Sequence, residues 1–296
     1  MRRHPVLLGL LIVVVLIVGF IVLVLVLSRL GGKKTAFVLG DKIGVVEIKG
    51  MIVSSEKIIN QLIAYREDKG VKAVVLRIDS PGGPAVPSEE IYREVMKTRR
   101  QKKVVASLGG IAASGGYYIA SGADLIVSSP GTITGSIGVI IQVSNVEGLM
   151  KLIGLKTYTF KSGEHKDLLS PFREPTPADR EIVMGVIESA HAQFVEAVAS
   201  GRNMDVDTVR KLADGRIFTG QQAMELGLVD QMGNLQDAID AAAQMSGITG
   251  KPNVIYPKKR RNILDLLVEK VFVRMIEGVR ALNHRIYYRV PWPSSL

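Results

Sequence analysis

Between Lys42 and Ser128 the chain alternates short, almost wholly apolar runs with longer stretches of helical period. Ile43–Ile48, Lys72–Ile78, Lys103–Leu108 and Asp124–Ser128 are four such runs. Their apolar positions hardly alternate with polar ones, as expected for strands covered on both faces. Between the first two, Ile58, Ile59, Leu62 and Ile63 form one apolar stripe behind Ser54 and Ser55, either of which can cap a helix. A second helix is expected from Ser88, with Glu89 and Glu90 at its start and Arg99, Arg100, Lys102 and Lys103 at its end. Those charges complement the helix dipole. Thr176-Pro177-Ala178-Asp179 opens a long helix with a cap, a first-turn proline and a capping-box acid, and shorter helices follow to about Ser246. Strands alternating with helices predict an α/β fold on a largely parallel sheet.

The two ends read differently. Val6 to Leu27 is 22 residues without a charge, about 33 Å as a helix and enough to cross a bilayer. Ser28-Arg29-Leu30 is a poor cleavage site, so an uncleaved anchor is expected at 6–27, with a tip at 1–5 and a linker at 28–40. At the other end, Leu264, Leu267, Val268, Val271, Met275, Val279, Leu282 and Ile286 make a helical stripe with Arg274, Arg280 and Arg285 off it. This tail, 251–296, fits either a helix packed on protein or a basic amphipathic helix at a membrane surface, with Trp292 as interfacial anchor. Charge separates the ends from the middle. The net +10 comprises +5 in residues 1–34, +6 in 258–296 and −1 between them. A near-neutral middle excludes a nucleic-acid-binding core and directs the basic ends to anionic lipid. With no cysteine in the chain, disulfides and thiolate metal sites are excluded. No cofactor or metal is called for.

The candidate chemistry lies in Gly109–Gly122, GGIAASGGYYIASG. Small residues around Ser114 let other backbone approach its hydroxyl, and the glycines after it free the next N–H groups to face a ligand. That layout suits a nucleophile with half an oxyanion hole, although a tight strand-to-helix turn has the same composition. Asp79-Ser80-Pro81-Gly82-Gly83 also follows a strand, so both turns belong at carboxyl ends of the sheet, where sites form. The amide of Gly82 or Gly83 would supply one oxyanion donor and that of Gly115 the other.

A serine nucleophile needs a base, and the chain has four histidines. His4 precedes the anchor, His284 is in the tail, and His191 sits on an apolar helix face between Ile187 and Phe194. His165, in a polar loop, stays open. No Gly-x-Ser-x-Gly elbow surrounds Ser114, and Ser54-x-x-Lys57 lacks the companion motifs of penicillin-binding enzymes. Lys166 remains as an alternative base, although spacing alone makes it an exposed loop lysine. Glu164 and Asp167 would raise its pKa if they faced it.

Together these segments resemble the signal peptide peptidase A family in its short single-repeat form. The matching pieces are the anchor, Asp79–Gly83, Ala113–Tyr118, Thr134–Gly138, Ser162–Asp167 and Gly215–Asp230. The resemblance implies a ClpP/crotonase-like fold of stacked ββα units over 41–250 and a serine endopeptidase with a Ser-Lys dyad. It implies Ser114 as nucleophile, Lys166 as general base, and Gly82 or Gly83 with Gly115 as oxyanion hole. It also implies a homo-oligomer in the cytoplasmic membrane, with active sites shared between neighbouring subunits, residues 1–5 inside and the protease domain outside, acting on remnant signal peptides. Three other readings have a similar core: a stomatin-associated membrane Ser-Lys protease, a crotonase-type acyl-CoA enzyme, and a catalytically silent membrane scaffold.

Overall fold

The computed structural model describes residues 15–20, 23 and 41–257. Residues 15–20 and 23 are helical. The rest of the expected anchor, and the expected amphipathic stripe beyond Pro257, lie outside the described residues.

The elements in chain order are β1 (Lys42–Lys49), α1 (Glu56–Glu67), β2 (Val71–Ser80), α2 (Ala85–Arg99), β3 (Lys103–Ala113), α3 (Gly115–Ser121), β4 (Leu125–Ser128) and β5 (Ile133–Gly135). There follow α4 (Glu147–Leu152), α5 (Pro177–Arg202), α6 (Val206–Leu212), β6 (Ile217–Thr219), α7 (Gly220–Glu225), β7 (Gln231–Met232), α8 (Leu235–Met245) and β8 (Asn253–Ile255). One sheet runs β6-β5-β3-β2-β1-β8, with β4 and then β7 branching from β3. Every pairing is parallel except β5 with β6. This is the α/β architecture on a largely parallel sheet that the strand–helix alternation predicts. β8 brings into the sheet residues that the sequence pattern assigns to the tail.

The unbroken apolar runs follow from burial on both faces. Val46, Ile48, Val74, Leu76, Ile78, Val104, Ala106 and Leu108 face α1, α2, α3 and α5. Their neighbours Ile43, Val45, Ala73, Val75, Val105 and Val127 point the other way, onto Ala238, Ile239, Ala242 and Ala243 of α8. The two-residue period of the strands thus serves two cores at once. α5, at 26 residues, has the length and apolar composition of a membrane span. Phe194, Val195 and Val198 on it pack into the first core, and it carries Asp179, Arg180, Glu181, Glu188, Glu196 and Arg202, so it is a helix of the domain.

Two boundaries depart from the sequence pattern. Helix α2 starts at Ala85 behind Pro84 as N-cap, so Ser88 lies one turn inside it, buried, with its hydroxyl toward the Pro84 carbonyl at 3.3 Å. Proline presets φ for the start, and the serine cap is not needed. Strand β3 does not stop at Leu108 but continues to Ala113. The register against β2 shows why. Ile78 pairs with Leu108 and Ser80 with Ala112, so Asp79 stands opposite Gly109, Gly110 and Ile111. Asp79 fills the bulge: its Oδ1 accepts the Ile111 N–H at 3.2 Å, and a Cβ on Gly109 would lie 2.7 Å from the Asp79 Cβ. Before the bulge β3 pairs with β4, and after it with β5. Such a bulge bends a strand and re-aims the residues beyond it.

Gly109→Ala should therefore force Asp79 or the β3 backbone to move. The expected loss is about 1–3 kcal/mol of stability, the usual cost of overpacking. Urea denaturation followed by circular dichroism measures it, and an unchanged midpoint would show that the bulge does not depend on this contact.

Candidate active site

The bent end of β3 delivers Ser114. Its φ of 53° and ψ of −122° lie in a region that non-glycine residues rarely occupy, at a cost on the order of 1–3 kcal/mol. Two backbone hydrogen bonds hold it there. Its N–H donates to the Gly135 carbonyl of β5 at 2.9 Å, and its carbonyl accepts the Tyr118 N–H of α3 at 2.8 Å. Gly135 has a φ of 79°, and the next residue, Ser136, is also strained at 50°. Ser114 itself is half-buried, between the buried Ala113 and Gly115. Its hydroxyl has no hydrogen-bond partner among the described residues.

The Gly82-Gly83 turn lies directly on this serine. A Cβ on Gly82, whose φ is 98°, would stand 2.7 Å from the Gly115 nitrogen and 2.9 Å from the Ser114 Cβ. Only glycine permits both that φ and that approach. On its other side, Gly83 is so close to Ile52 that a Cβ would meet the Ile52 carbonyl oxygen at 2.4 Å. Ser88 fills the space behind Gly115, where a Cβ would stand 2.2 Å from its Oγ. The amides of the two turn glycines differ. The Gly82 N–H donates to Ser80 Oγ at 3.1 Å. Among the described residues, neither the Gly83 N–H nor that of Gly115, the first residue of α3, has an acceptor.

Lys166 occupies a separate region. Residues 163–170 form successive turns, closed by Lys166 N–H to Gly163 O at 3.2 Å, Leu168 N–H to His165 O at 3.2 Å and Ser170 N–H to Asp167 O at 2.9 Å. The lysine side chain is exposed, and among the described residues Nζ has neither a hydrogen bond nor an ion pair. No bond joins it to Ser114 within the chain. The surrounding segment exposes large apolar side chains, with Ile140 84%, Leu152 83% and Phe160 96% accessible. Arg173 secures the turn. Its Nε and Nη2 reach Asp167 Oδ2 and Oδ1 at 3.1 and 2.9 Å, and its Nη1 reaches Asp179 Oδ2 at 2.5 Å. Arg173, with Lys161 beside it, holds the Asp167 carboxyl well below the usual carboxylate range. Arg173 together with the Thr176 amide does the same for Asp179.

Of the histidines, His165 and His191 are among the described residues, and His4 and His284 lie outside them. His191 Nε2 lies 2.7 Å from the Ala213 carbonyl. His165 Nδ1 stands 3.7 Å from Asp179. Ser55 is the N-cap residue of α1, but its hydroxyl bonds Glu90 rather than the helix. Among the described residues no group of His, Asp and Glu is arranged to hold a metal ion. Two residues that the sequence reading passes over organise the region: Asp79 in the bulge and Arg173 behind the lysine turn. Arg173 stands six residues after Asp167 and six before Asp179, a spacing with little sequence signal.

Comparison with known proteins places the chain in a family. The Peptidase family S49 model matches residues 96–249, more than half of the chain, and the Clp protease model matches 45–130. A Synechocystis sp. protein named as a protease is 47% identical over 208 residues, which are 70% of this chain and 75% of that one. An Enterococcus faecium protein named signal peptide peptidase SppA is 42% identical over 68% of this chain and 59% of its own length. Protease 4 of Haemophilus influenzae is 35% identical over 74% of this chain but only 37% of its own. The chain thus spans 75%, 59% and 37% of the length of these three relatives. Among solved structures, a mutant of the 1510-N membrane-bound stomatin-specific protease superposes with a TM-score of 0.50 over 74% of this chain and 98% of that one, at 18% identity, a likeness of fold. By the family match and by these relatives, the chain is a serine protease of peptidase family S49.

Proposed function

We propose that the chain is a membrane-anchored endopeptidase that cleaves signal peptides left after secretion, with Ser114 as nucleophile and Lys166 as general base. The observation that carries this reading is the strained Ser114, set beside the two amides without acceptors, those of Gly83 and Gly115. Neutral Lys166 takes the Oγ proton as Ser114 attacks the scissile carbonyl. The two amides receive the developing oxyanion, a contribution whose removal typically costs 10²–10³ in turnover. The lysine then gives its proton to the departing amine. In the second half it takes a proton from water, which hydrolyses the acyl ester and frees Ser114. Gly82, whose amide is engaged by Ser80, acts by close approach rather than by donation.

The base comes from a neighbouring subunit in this reading. Lys166 sits in an exposed turn within a segment rich in exposed apolar side chains, including Ile140, Leu152 and Phe160. Exposed apolar surface of that kind marks an interaction site. A second copy seated there would cover the lysine, and desolvation disfavours an ammonium. The charge-free run 6–27 supplies the anchor, 28–40 the linker, and the basic tail contacts anionic headgroups. The protease domain then lies outside the cytoplasmic membrane, where cleaved signal peptides remain.

Two experiments test this. Activity should rise with pH as Lys166 loses its proton, and Lys166→Arg should be as inactive as Lys166→Ala because arginine stays charged. Substantial activity in Lys166→Arg across pH 6–10 would exclude this lysine. Mixing Ser114→Ala with Lys166→Ala subunits, each inactive alone, should restore part of the activity once exchange is verified by native mass spectrometry. Complete exchange without recovery would place both residues of the dyad in one chain.

A further inference from the structure

We propose that Arg173 is the positioning residue of the catalytic base, fixing the turn that presents Lys166 and occupying the carboxylate that would otherwise pair with it. The proposal rests on Lys166 being the base.

The geometry supplies both halves. Asp167 follows Lys166 directly in sequence. Arg173 engages both Asp167 oxygens through Nε and Nη2, and the same Nη2 takes the Asp167 backbone carbonyl at 3.1 Å. Lys161 adds a third cationic contact, Nζ to Asp167 Oδ1 at 2.8 Å. Both carboxylate oxygens are therefore engaged by other cations. A planar fork can do this while gripping the backbone, and an ammonium cannot.

Through its other arm Arg173 ties the turn to the fold. Nη1 bonds Asp179 Oδ2 and, at 3.1 Å, the Glu174 carbonyl. Asp179 is 2% exposed and closes the capping box of α5, accepting the Thr176 N–H at 3.0 Å. The turn is thus referred to a 26-residue helix whose far half is in the core. Charged groups around the turn are Lys161, Glu164, His165 and Asp167 within it, and Arg173, Glu174 and Asp179 from the approach to α5. Of the carboxylates, Asp167 and Asp179 are both held by Arg173. Removing Arg173 leaves Asp167 held by Lys161 on Oδ1 alone, with Oδ2 open to Lys166, and an opposite charge at that range holds a lysine protonated to higher pH. Loss of a purely structural arginine would instead lower the rate equally at every pH.

The test is the pH dependence of kcat/KM on a quenched peptide substrate, which reports ionisations of the free enzyme. It would be run on the full-length membrane-extracted oligomer and on Arg173→Met, Asp167→Asn, the double variant, Arg173→Lys and Lys166→Met. Arg173→Met should lower kcat/KM at pH 7 by about tenfold or more and move the acid limb up by about one pH unit. In the Arg173→Met, Asp167→Asn double variant the limb should return to the native position even though the rate stays reduced. Arg173→Lys keeps the cation and loses the fork, so its limb should stay put while kcat/KM falls; this variant decides the matter if Arg173→Met does not assemble. An unmoved limb in Arg173→Met, an equal shift in the double variant, or a shifted limb in Arg173→Lys would each overturn the proposal. Lys166→Met separates the two readings: retained activity there removes Lys166 as base, whereas an inactive Lys166→Met with an unmoved limb in Arg173→Met removes only the role of Arg173.

Discussion

The bulge of β3 against Asp79 is the constraint on which the rest of the site depends. A regular β3 would keep one neighbour along its whole length and end with Ser114 facing some other way. With Asp79 set against three residues instead of one, the strand serves β4 first and β5 afterwards. The second pairing brings Gly135 to the Ser114 amide, and the first keeps the strand in the core. The strained φ of Ser114 persists because β5 on one side and α3 on the other both hold its backbone. Strain of this kind survives only where the surroundings over-determine it.

The proposed dyad divides a rigid part from a presented part. Ser114 and the glycines that face it are packed so closely that a single added carbon at Gly82, Gly83 or Gly115 meets backbone or a buried hydroxyl at under 3 Å. Lys166 instead lies on turns whose order comes from polar contacts, above all those of Arg173, while the apolar side chains nearby face outward. A site divided this way is incomplete in a lone subunit under the proposed reading. Peptide cleavage would then be confined to the assembled enzyme.

Much of the layout was legible in the sequence because it rests on local chemistry. The unbroken apolar runs announced strands covered on both faces, and Thr176 with Asp179 formed the capping box that their spacing predicts. His191 went to a backbone carbonyl, as an apolar helix face suggests. The features that were not legible depend on register. Gly109 and Gly110 read as the end of a strand, since nothing in the sequence pairs them with an aspartate thirty residues earlier. For the same reason the sequence left Gly82 and Gly83 equivalent. Only the fold gives the amide of Gly82 to Ser80 and leaves that of Gly83 without an acceptor. Arg173 carried little signal because its partners stand six residues away on either side, a spacing that matches neither helix nor strand.

Ser114 is the residue on which the proposed chemistry turns. Treating the native enzyme with a fluorophosphonate probe and mapping the adduct by tandem mass spectrometry addresses it without assumptions about substrate or assembly partner. A nucleophilic Ser114 predicts one adduct, on the peptide containing Ser114, and none in Ser114→Ala, which should also lack peptidase activity. An adduct on another serine, or a Ser114→Ala protein that still cleaves peptides at the native rate, would contradict it.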